Sequence, residues 1–558
     1  MMPIVGATKS RIILLAGALT IIIACCVAYI PAMKAGFIWD DDVYVTNNPL
    51  LTTPGGLYLI WTSGTITSQY FPLTYTTFWF EYRLWGFNPV GYHVVNIAIH
   101  IINSLLLWLV LRRLSVPGAW FASAVFALHP VQVESVAWVT ERKNLLMLLF
   151  SLLSVLCWLK FVFDNKTGQK ATLLYVASLL LFALALFGKA TACTFPAAML
   201  LILWLKRVPL SARRILQIVP FFIMAVGMGL FVMWWENHHQ GTEQLNLGLN
   251  LPARFLIAGR ALWFYLYKLF WPVNLTFSYP RWNIDPAAIR QYLWPAASIL
   301  MIASAWLLRK RLGRATLTAI LFFAVTLFPM LGFFSLFTFM YTFVADHYQY
   351  AACIGPIALV AAGGAILMRR LPAKIKIAVP LLAGILLLIL GFLTFRQSGI
   401  YIDKMSLWQD TVNKNPDSWL AHSQLVKLFF GQGNIIEAKP HLERVLELAS
   451  YVKEMDSRIY ASFHHGMGLI YEKENRLSDA AGEYQKALDI TDYFEVVMNA
   501  NYCLGRVLAR QGKIEVAREH FLRARDIARA HNNYRMVEDS YNELRLLNEY
   551  EKSRNFVR

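Results

Sequence analysis

Three consecutive acids, Asp40, Asp41 and Asp42, follow closely on the first long apolar run of the chain, Ile12 to Ile30. Carboxylates this close to one another raise one another's pKa values and are costly to bury together. At the mouth of a membrane helix such a cluster can supply a general base, bind a divalent metal such as Mg²⁺ or Mn²⁺, or form a solvated loop. These residues alone leave the three alternatives open, and no other cofactor is indicated.

The composition indicates a polytopic membrane protein. Of 558 residues, 57% are hydrophobic and 15% are charged, whereas soluble domains carry about 25% charge. The net charge of +18 is typical of cytoplasmic loop anchors and does not call for a nucleic-acid partner. Six cysteines are too few for a disulfide framework. The lipid bilayer is therefore the first partner that the sequence predicts.

Basic residues set the predicted topology. Lys9 and Arg11 precede the first apolar run and place the N-terminus inside, so the three aspartates lie outside, in a long outer loop over residues 31–91. The segment from Phe255 to Trp271 is long enough to span, but it carries two cations. A re-entrant or interfacial assignment keeps every later basic cluster inside. The sequence then predicts about eleven spans with the C-terminus outside.

Several ionisable and polar residues fall at the outer ends of predicted helices, where they are costly and therefore candidates for function. Lys189, Arg142 and Lys143 are predicted to bind a phosphate, since ammonium and guanidinium groups hold phosphate oxygens well. Interfacial anchoring and snorkelling are the alternatives for these cations. The predicted pocket residues, which share the outer face with the aspartates, are His93, His129, Glu134, Asp346, His347 and Tyr348.

The composition changes after Phe395: charged residues become more frequent, and apolar residues recur with helical periodicity. The spacings His464-x3-Gly468-x2-Tyr471 and Asn501-x3-Gly505-x2-Leu508 fit the first helix of a tetratricopeptide repeat. About three repeats and a capping helix from Tyr534 are predicted, forming an α-solenoid with a concave peptide-binding face. A structural or oligomerising module is the alternative. The predicted domains are residues 1–397 and residues 398–558.

Motifs spread over most of the chain resemble those of the transmembrane and tetratricopeptide-repeat-containing O-mannosyltransferases and their bacterial relatives, within the GT-C glycosyltransferases. The matching stretches are Phe37–Asn48, Tyr70–Phe78, Tyr92–His100, Phe126–Ala137, Glu141–Leu145, Gly188–Lys189 and Ala345–Tyr350. Their order along the chain is more specific than any one of them.

The resemblance implies an all-α, GT-C-type membrane helical bundle with a catalytic acid pair in the first outer loop. Counted back from Asn47 and Asn48, that pair falls on Asp40 and Asp41, which would also be the ligands of any metal. The implied donor is a sugar on a polyprenyl or dolichyl phosphate, and the implied acceptor is a Ser or Thr hydroxyl of a protein. Two cations common in relatives are replaced here, by Phe71 and His347.

The sequence therefore predicts a glycosyltransferase that moves a hexosyl group, such as mannosyl, from a polyprenyl phosphate to outer-face proteins, with the repeats binding the acceptor or a partner. Low cysteine use and short loops favour a bacterial inner membrane, with the N-terminus cytoplasmic and the repeats periplasmic. Two alternatives are a GT-C transferase that modifies a glycan or lipid and a non-enzymatic membrane scaffold that uses its repeats.

Overall fold

The computed structural model describes residues 3–63, 69–164, 167–239, 247–376, 378–449 and 457–557. Within these ranges the chain is mostly helical and contains no β-strand, which confirms the all-α class. Two compact units are present, Met1–Asp410 and Thr411–Arg558. The first unit extends beyond the predicted boundary at residue 397 because Trp408 is buried against the rings of Trp39 and Phe277.

The first unit contains long helices and several short ones in the loop that carries the aspartates. Its early helices are α1 (Pro3–Ala28), α2 (Ile30–Met33), α3 (Pro49–Thr52), α4 (Gly56–Thr62), α5 (Pro72–Trp85), α6 (Pro89–Arg113), α7 (Ala119–Leu128), α8 (Val133–Ala137), α9 (Arg142–Phe163) and α10 (Gln169–Gly188). They are followed by α11 (Phe195–Leu205), α12 (Ala212–His239), α13 (Leu251–Phe270), α14 (Leu293–Leu307), α15 (Arg309–Leu312), α16 (Arg314–Leu327), α17 (Ile354–Arg370), α18 (Ala373–Lys376), α19 (Ala378–Ile400) and α20 (Lys404–Lys414).

Six helical segments within the described ranges are long and apolar enough to cross a membrane, and shorter apolar helices accompany them. The six are Arg11–Ala28, Pro89–Arg113, Val139–Phe163, Gln169–Gly188, Ala212–Trp235 and Ala373–Ile400. The chain is therefore a multi-pass membrane protein in its architecture, while the total of about eleven crossings stays a prediction.

The long helices of this unit run between two chemically different ends. The acidic end carries Asp40 to Asp42. The basic end is the opposite one, where the ends of helices meet through polar contacts: Arg113 of α6 pairs with Asp164 after α9. Lys206, after α11, donates to the Leu114 carbonyl at 3.1 Å, and Arg314, at the start of α16, donates to the Trp204 carbonyl at 2.8 Å.

Helix α13 lies along the acidic end. Near its start, Arg254 donates to the Gly332 carbonyl at 2.9 Å. Gly332 follows the C-terminus of α16, and α16 begins at the basic end, so Gly332 lies at the acidic end. Near its other terminus, the Leu269 carbonyl contacts the His129 ring at 2.8 Å. Because both termini contact segments of the acidic end, α13 does not run towards the basic end. This orientation agrees with the re-entrant or interfacial assignment of residues 255–271.

The apolar segment over residues 120–139 is not one continuous helix. Helix α7 ends at Leu128, and a 3-10 turn, Pro130–Gln132, precedes α8. Pro130 lacks a backbone N–H and pushes the preceding residue out of helical geometry; His129 accordingly has φ −79° and ψ 128°. A second 3-10 turn, Val139–Glu141, then leads into α9. The break gives short turns that direct polar side chains inward.

The second unit consists of successive packed helices. They are α21 (Trp419–Gly431), α22 (Ile435–Ala449), α23 (Ser457–Lys473), α24 (Leu477–Ile490), α25 (Phe494–Arg510), α26 (Ile514–Ala530) and α27 (Tyr534–Val557). Small residues sit where two helices cross: Gly468 lies against Tyr484, and Gly505 lies against Phe521. These two glycines are the ones whose spacing fitted the repeat pattern in the sequence. The assignment of the helices as tetratricopeptide repeats stays a prediction.

Replacing Gly468 by Ala is expected to destabilise the second unit by about 1–3 kcal/mol, because overpacking a close contact forces neighbours to shift. An added Cβ would lie 2.4 Å from the buried Tyr484 ring. Thermal unfolding and limited proteolysis of the full chain measure the effect. The control is Gly482→Ala, where nothing lies within 4 Å and the helix gains up to about 1 kcal/mol. Equal effects of the two variants would contradict the packing argument.

Candidate active site

The backbone before the aspartates is strained and held from several sides. Trp39 has φ 42°, a left-handed conformation that is uncommon outside glycine and concentrates at functional sites. Its ring packs edge-on against Trp408 at 5.2 Å. Upstream, the Gly36 carbonyl contacts the His93 ring at 3.3 Å, and the Gly36 N–H donates to the Ile402 carbonyl. The loop therefore presents the aspartates in one fixed conformation.

Asp41 is fully buried and fully occupied by hydrogen bonds. One carboxylate oxygen accepts from the Thr140 N–H at 2.8 Å and from the Thr140 hydroxyl at 2.6 Å. The other accepts from the Ile38 N–H at 2.9 Å. Burial raises the pKa of Asp41 to about 7, while these hydrogen bonds act in the opposite direction. Asp41 therefore fastens the acidic loop to the turn that precedes α9.

Asp40 differs from its neighbour because the residue is partly exposed, whereas Asp41 is fully buried. No donor within the described ranges reaches its carboxylate oxygens with a hydrogen bond. Burial raises the pKa of Asp40 to about 6; the nearby Lys143 lowers it and Glu141 raises it. A carboxylate without a hydrogen-bond donor and with a pKa near neutrality has the properties of a general base.

Asp42 begins a π-helical turn, Asp42–Thr46, of a kind common at functional sites. Its carboxylate forms an ion pair with Lys404 at 2.5 Å and contacts the Thr46 hydroxyl at 3.4 Å. Both ionic partners remain about one third exposed. Asp42 therefore serves as a surface anchor for the loop.

Glu141 is a buried carboxylate shared by several nitrogen atoms. One oxygen lies 2.9 Å from Lys143 Nζ, and the other lies 3.4 Å from Lys189 Nζ. The second oxygen also accepts from Asn144 Nδ2 at 2.5 Å, while His347 Nε2 is 3.8 Å from the first. Two ammonium groups thus share a single carboxylate. Both ammonium groups have donors that can contact an anion, and the carboxylates of Asp40 and Glu134 also lie near them.

Lys143 lies within an aromatic cage. Its Nζ is 5.3 Å from the Tyr44 ring centroid, 5.5 Å from that of Phe71 and 5.6 Å from that of Trp138. Aromatic faces stabilise a partly desolvated cation. Phe71 therefore faces a cation that is also held by Glu141.

The Ala345–Tyr350 motif contributes a second set of polar contacts. His347 Nδ1 lies 3.0 Å from Glu134, and the His347 N–H donates to the same carboxylate at 3.0 Å. The Tyr279 hydroxyl donates to Asp346 at 3.0 Å. The Tyr348 hydroxyl contacts the Thr338 hydroxyl at 2.7 Å. Since His347 also approaches Glu141, the turns between α7 and α9 and the Ala345–Tyr350 motif meet at the acidic end.

Three predicted site residues have structural partners instead. Arg142, fully buried, pairs with Glu81 and donates to Asn96 at 2.6 Å. His129 spans between the Leu269 carbonyl and the Val131 N–H, and His93 holds the acidic loop through Gly36. Internal partners hold Arg142 and His129, so phosphate binding by Arg142 and a pocket position for His129 are corrected. His93 Nδ1 has no hydrogen-bond partner among the described residues, and a pocket position for His93 stays a prediction.

A cavity of about 20 Å³, large enough for about one water molecule, lies beside Lys189. Asn144, Tyr348, Thr191 and Phe195 are part of its lining. The sequence did not single out Thr140, Glu81 or Tyr279, and it left the central role of Glu141 unrecognised. Only the position of Glu141 inside the Glu141–Leu145 motif could have indicated that role.

The donor set at the aspartates does not fit a divalent metal. Asp41 already accepts three hydrogen bonds and Asp42 is paired with Lys404, which leaves Asp40 as the single uncommitted carboxylate. Mg²⁺ and Mn²⁺ require several oxygen ligands. No group of three or more His, Cys, Asp or Glu residues in the described part of the chain has a geometry that could hold a metal ion.

The fold and this site together define a class: a multi-pass helical membrane protein with a polar, partly buried pocket of acids and cations at one end. No protein-family model matches the sequence.

The curated relatives are named protein O-mannosyl-transferases, the family that the sequence motifs resemble. A protein O-mannosyl-transferase of Caenorhabditis elegans is 26% identical over 444 residues, covering 76% of this chain and 61% of its own length. The human protein O-mannosyl-transferase TMTC4 is 34% identical over 195 residues, covering 30% of this chain and 26% of its own length. The chain spans less than two thirds of either relative. The resemblance to the protein O-mannosyl-transferases is thereby confirmed.

Among solved structures, ArnT from Cupriavidus metallidurans, bound to undecaprenyl phosphate, is similar with a TM-score of 0.36 and 13% identity. The match covers 86% of this chain and 80% of that chain.

Proposed function

We propose that the chain is a membrane glycosyltransferase that moves a sugar from a polyprenyl phosphate to a Ser or Thr hydroxyl of a protein. The observation that carries the proposal is the contrast between Asp40 and Asp41. The Asp41 carboxylate accepts three hydrogen bonds, whereas Asp40 is partly exposed, accepts none within the described ranges and lies near Lys143. The names of the curated relatives support this choice of chemistry.

Asp40 is the proposed general base. The acceptor hydroxyl gives its proton to the Asp40 carboxylate, and its oxygen forms a bond to the anomeric carbon of the sugar. The bond between that carbon and the phosphate oxygen breaks, and the polyprenyl phosphate leaves with the bonding electrons. Attack opposite to the leaving group inverts the anomeric centre. No covalent enzyme intermediate is needed, so one open carboxylate suffices.

Lys189 and Lys143 are the proposed phosphate ligands. Charge that develops on the leaving phosphate is stabilised by cations already fixed in place. Both ammonium groups are held by Glu141 and buried, so they need little reorganisation. The lipid part of the donor stays in the bilayer, which accounts for a site at one end of apolar helices. The second unit is proposed to bind the acceptor protein and raise its local concentration.

The function is tested by incubating the purified full chain in nanodiscs with a synthetic polyprenyl-phosphate mannose. Outer-face proteins from cells that lack this protein supply the acceptor. The expected product is a hexose on Ser or Thr peptides, found by mass spectrometry together with released polyprenyl phosphate. Release of the lipid phosphate with the hexose on a glycan or lipid would favour the alternative acceptor class. Absence of any transfer, with a range of donor sugars tried, would favour the scaffold.

The pH profile gives a second prediction. The base must be ionised, and burial raises the pKa of Asp40 from 3.8 to about 6. We therefore expect kcat/KM to be constant at neutral pH and to fall about tenfold for each pH unit below 6, because only the carboxylate form accepts the proton. Initial rates between pH 4.5 and 8 measure this. A profile that stays flat down to pH 4.5 would rule out a base with a raised pKa.

A further inference from the structure

A second cavity lies inside the helical bundle, among α6, α9, α11, α16 and α17. Its volume is about 150 Å³. Its lining is almost entirely aliphatic or aromatic and includes Leu107, Leu148, Phe195, Leu205, Ala315 and Ala362. Nothing in the proposed chemistry at Asp40 uses this space.

The cavity is elongated along the helices. Its lining on α11 runs from Phe195, next to the acidic end, to Leu205, next to the basic end, which corresponds to about 15 Å at 1.5 Å per residue. A narrow apolar channel of this length suits a hydrocarbon chain better than a compact polar molecule.

Two cations lie at the basic end of the cavity. Lys206 follows the lining residue Leu205, and its Nζ donates to the carbonyl of Leu114, another lining residue. Arg314 precedes the lining residue Ala315, and its guanidinium lies 5.2 Å from the Trp204 ring. Each donates one hydrogen bond to a backbone carbonyl and keeps further donors for a ligand.

Neither cation is paired with a carboxylate in the described part of the chain. Asp164 is the one acid among the described residues of the basic end, and it already pairs with Arg113. The sequence adds further positive charge nearby in Arg309, Lys310 and Arg311. The mouth of an apolar channel is thus surrounded by positive charge that only an external anion can neutralise.

We propose that this channel binds an anionic glycerophospholipid, with an acyl chain in the cavity and the phosphate on Lys206 and Arg314. Guanidinium and ammonium groups bind phosphate oxygens strongly, and burial of each CH₂ group of the chain adds affinity. Basic loops mark the cytoplasmic side of membrane proteins, so the lipid comes from the cytoplasmic leaflet, where anionic lipids interact with such residues. The site joins the ends of α6, α11 and α16.

The proposal is tested by native mass spectrometry of the purified full chain titrated with phosphatidylglycerol and with phosphatidylcholine of the same acyl chains. We expect tighter binding of phosphatidylglycerol. The double variant Lys206→Gln with Arg314→Gln should weaken it by about tenfold or more, since hydrogen bonds to charged groups are lost. The matched control, Lys310→Gln with Arg311→Gln, removes the same charge from exposed positions that do not line the cavity and should weaken binding much less than the first double variant.

Other results would overturn the proposal. Equal binding of the two lipids, or equal losses in both double variants, would mean annular lipid or general surface charge only. Competition by glycerol phosphate at the concentration of the lipid would mean that the headgroup alone binds. If the double variant fails to fold, Ala362→Leu tests the channel with both cations intact. It should weaken phosphatidylglycerol binding without lowering Tm, and an unchanged affinity would contradict the site.

Discussion

Replacing Asp40 by Asn is expected to lower kcat/KM by about 10²- to 10⁴-fold, the contribution typical of a general base. The reason is chemical, because an amide cannot accept the proton of the acceptor hydroxyl. The fold should persist, since the Asp40 carboxylate holds no structural hydrogen bond within the described ranges. Transfer from polyprenyl-phosphate mannose in nanodiscs, measured together with Tm, reports both effects.

Its neighbours on the same loop are matched controls. Asp42→Asn removes an exposed ion pair with Lys404 and should change stability by about 0–1 kcal/mol with little effect on transfer. Asp41→Asn should lose stability and activity together, because an amide oxygen cannot replace a carboxylate that accepts three hydrogen bonds. Full activity in Asp40→Asn would contradict the assignment, and so would a selective loss of activity in Asp42→Asn.

Replacing Arg142 by Met is expected to destabilise the first unit by about 3–5 kcal/mol, because removing one partner leaves a buried charge unpaired. Arg142 is fully buried, pairs with Glu81 and donates to Asn96 and to the Tyr92 carbonyl at 2.7 Å. Thermal unfolding of the purified protein should show a large drop in Tm, with a low yield of folded protein.

The double variant Glu81→Met with Arg142→Met separates structure from function. Replacing a buried pair by apolar side chains of similar volume is often neutral, so part of the lost stability should return. Donor affinity in the rescued protein should resemble that of the wild type. If Arg142→Met keeps its Tm but binds the lipid-phosphate donor more weakly, Arg142 binds phosphate and the structural assignment is wrong.

Features that depend on residues close together in the sequence could be predicted from it. Apolar runs and basic clusters located the helices. The small residues at Gly468 and Gly505 indicated the close crossings of the second unit, where they face Tyr484 and Phe521. The order of the polar motifs also indicated that Glu134, His347 and Lys189 would lie at the same end of the bundle, and Glu141 connects them.

Roles that depend on distant partners could not be predicted in the same way. Arg142 and Lys143 are adjacent cations in one motif, yet Glu81 on another helix fixes the first and Glu141 holds the second. His129 was expected in the pocket because it precedes a proline in an apolar helix. Its ring instead contacts the Leu269 carbonyl, far along the chain.

The aspartates illustrate the same limit on a finer scale. Spacing could nominate Asp40 and Asp41 together but could not separate them. Their separation depends on Thr140, whose N–H and hydroxyl reach Asp41, and on the left-handed Trp39 that orients the next residue. Neither feature has a sequence signature, since threonine is common at turns and tryptophan does not favour positive φ.

The proposed role of Asp40 as the general base is tested most directly in cells that lack this protein and carry the wild-type chain, Asp40→Asn or Asp42→Asn at equal levels in the membrane. Mass spectrometry of outer-face proteins then compares hexose on Ser and Thr peptides among the three. We expect the wild type and Asp42→Asn to restore the same modified peptides, and we expect Asp40→Asn not to restore them. Restoration by Asp40→Asn at the level of the wild type would contradict a catalytic base at this position.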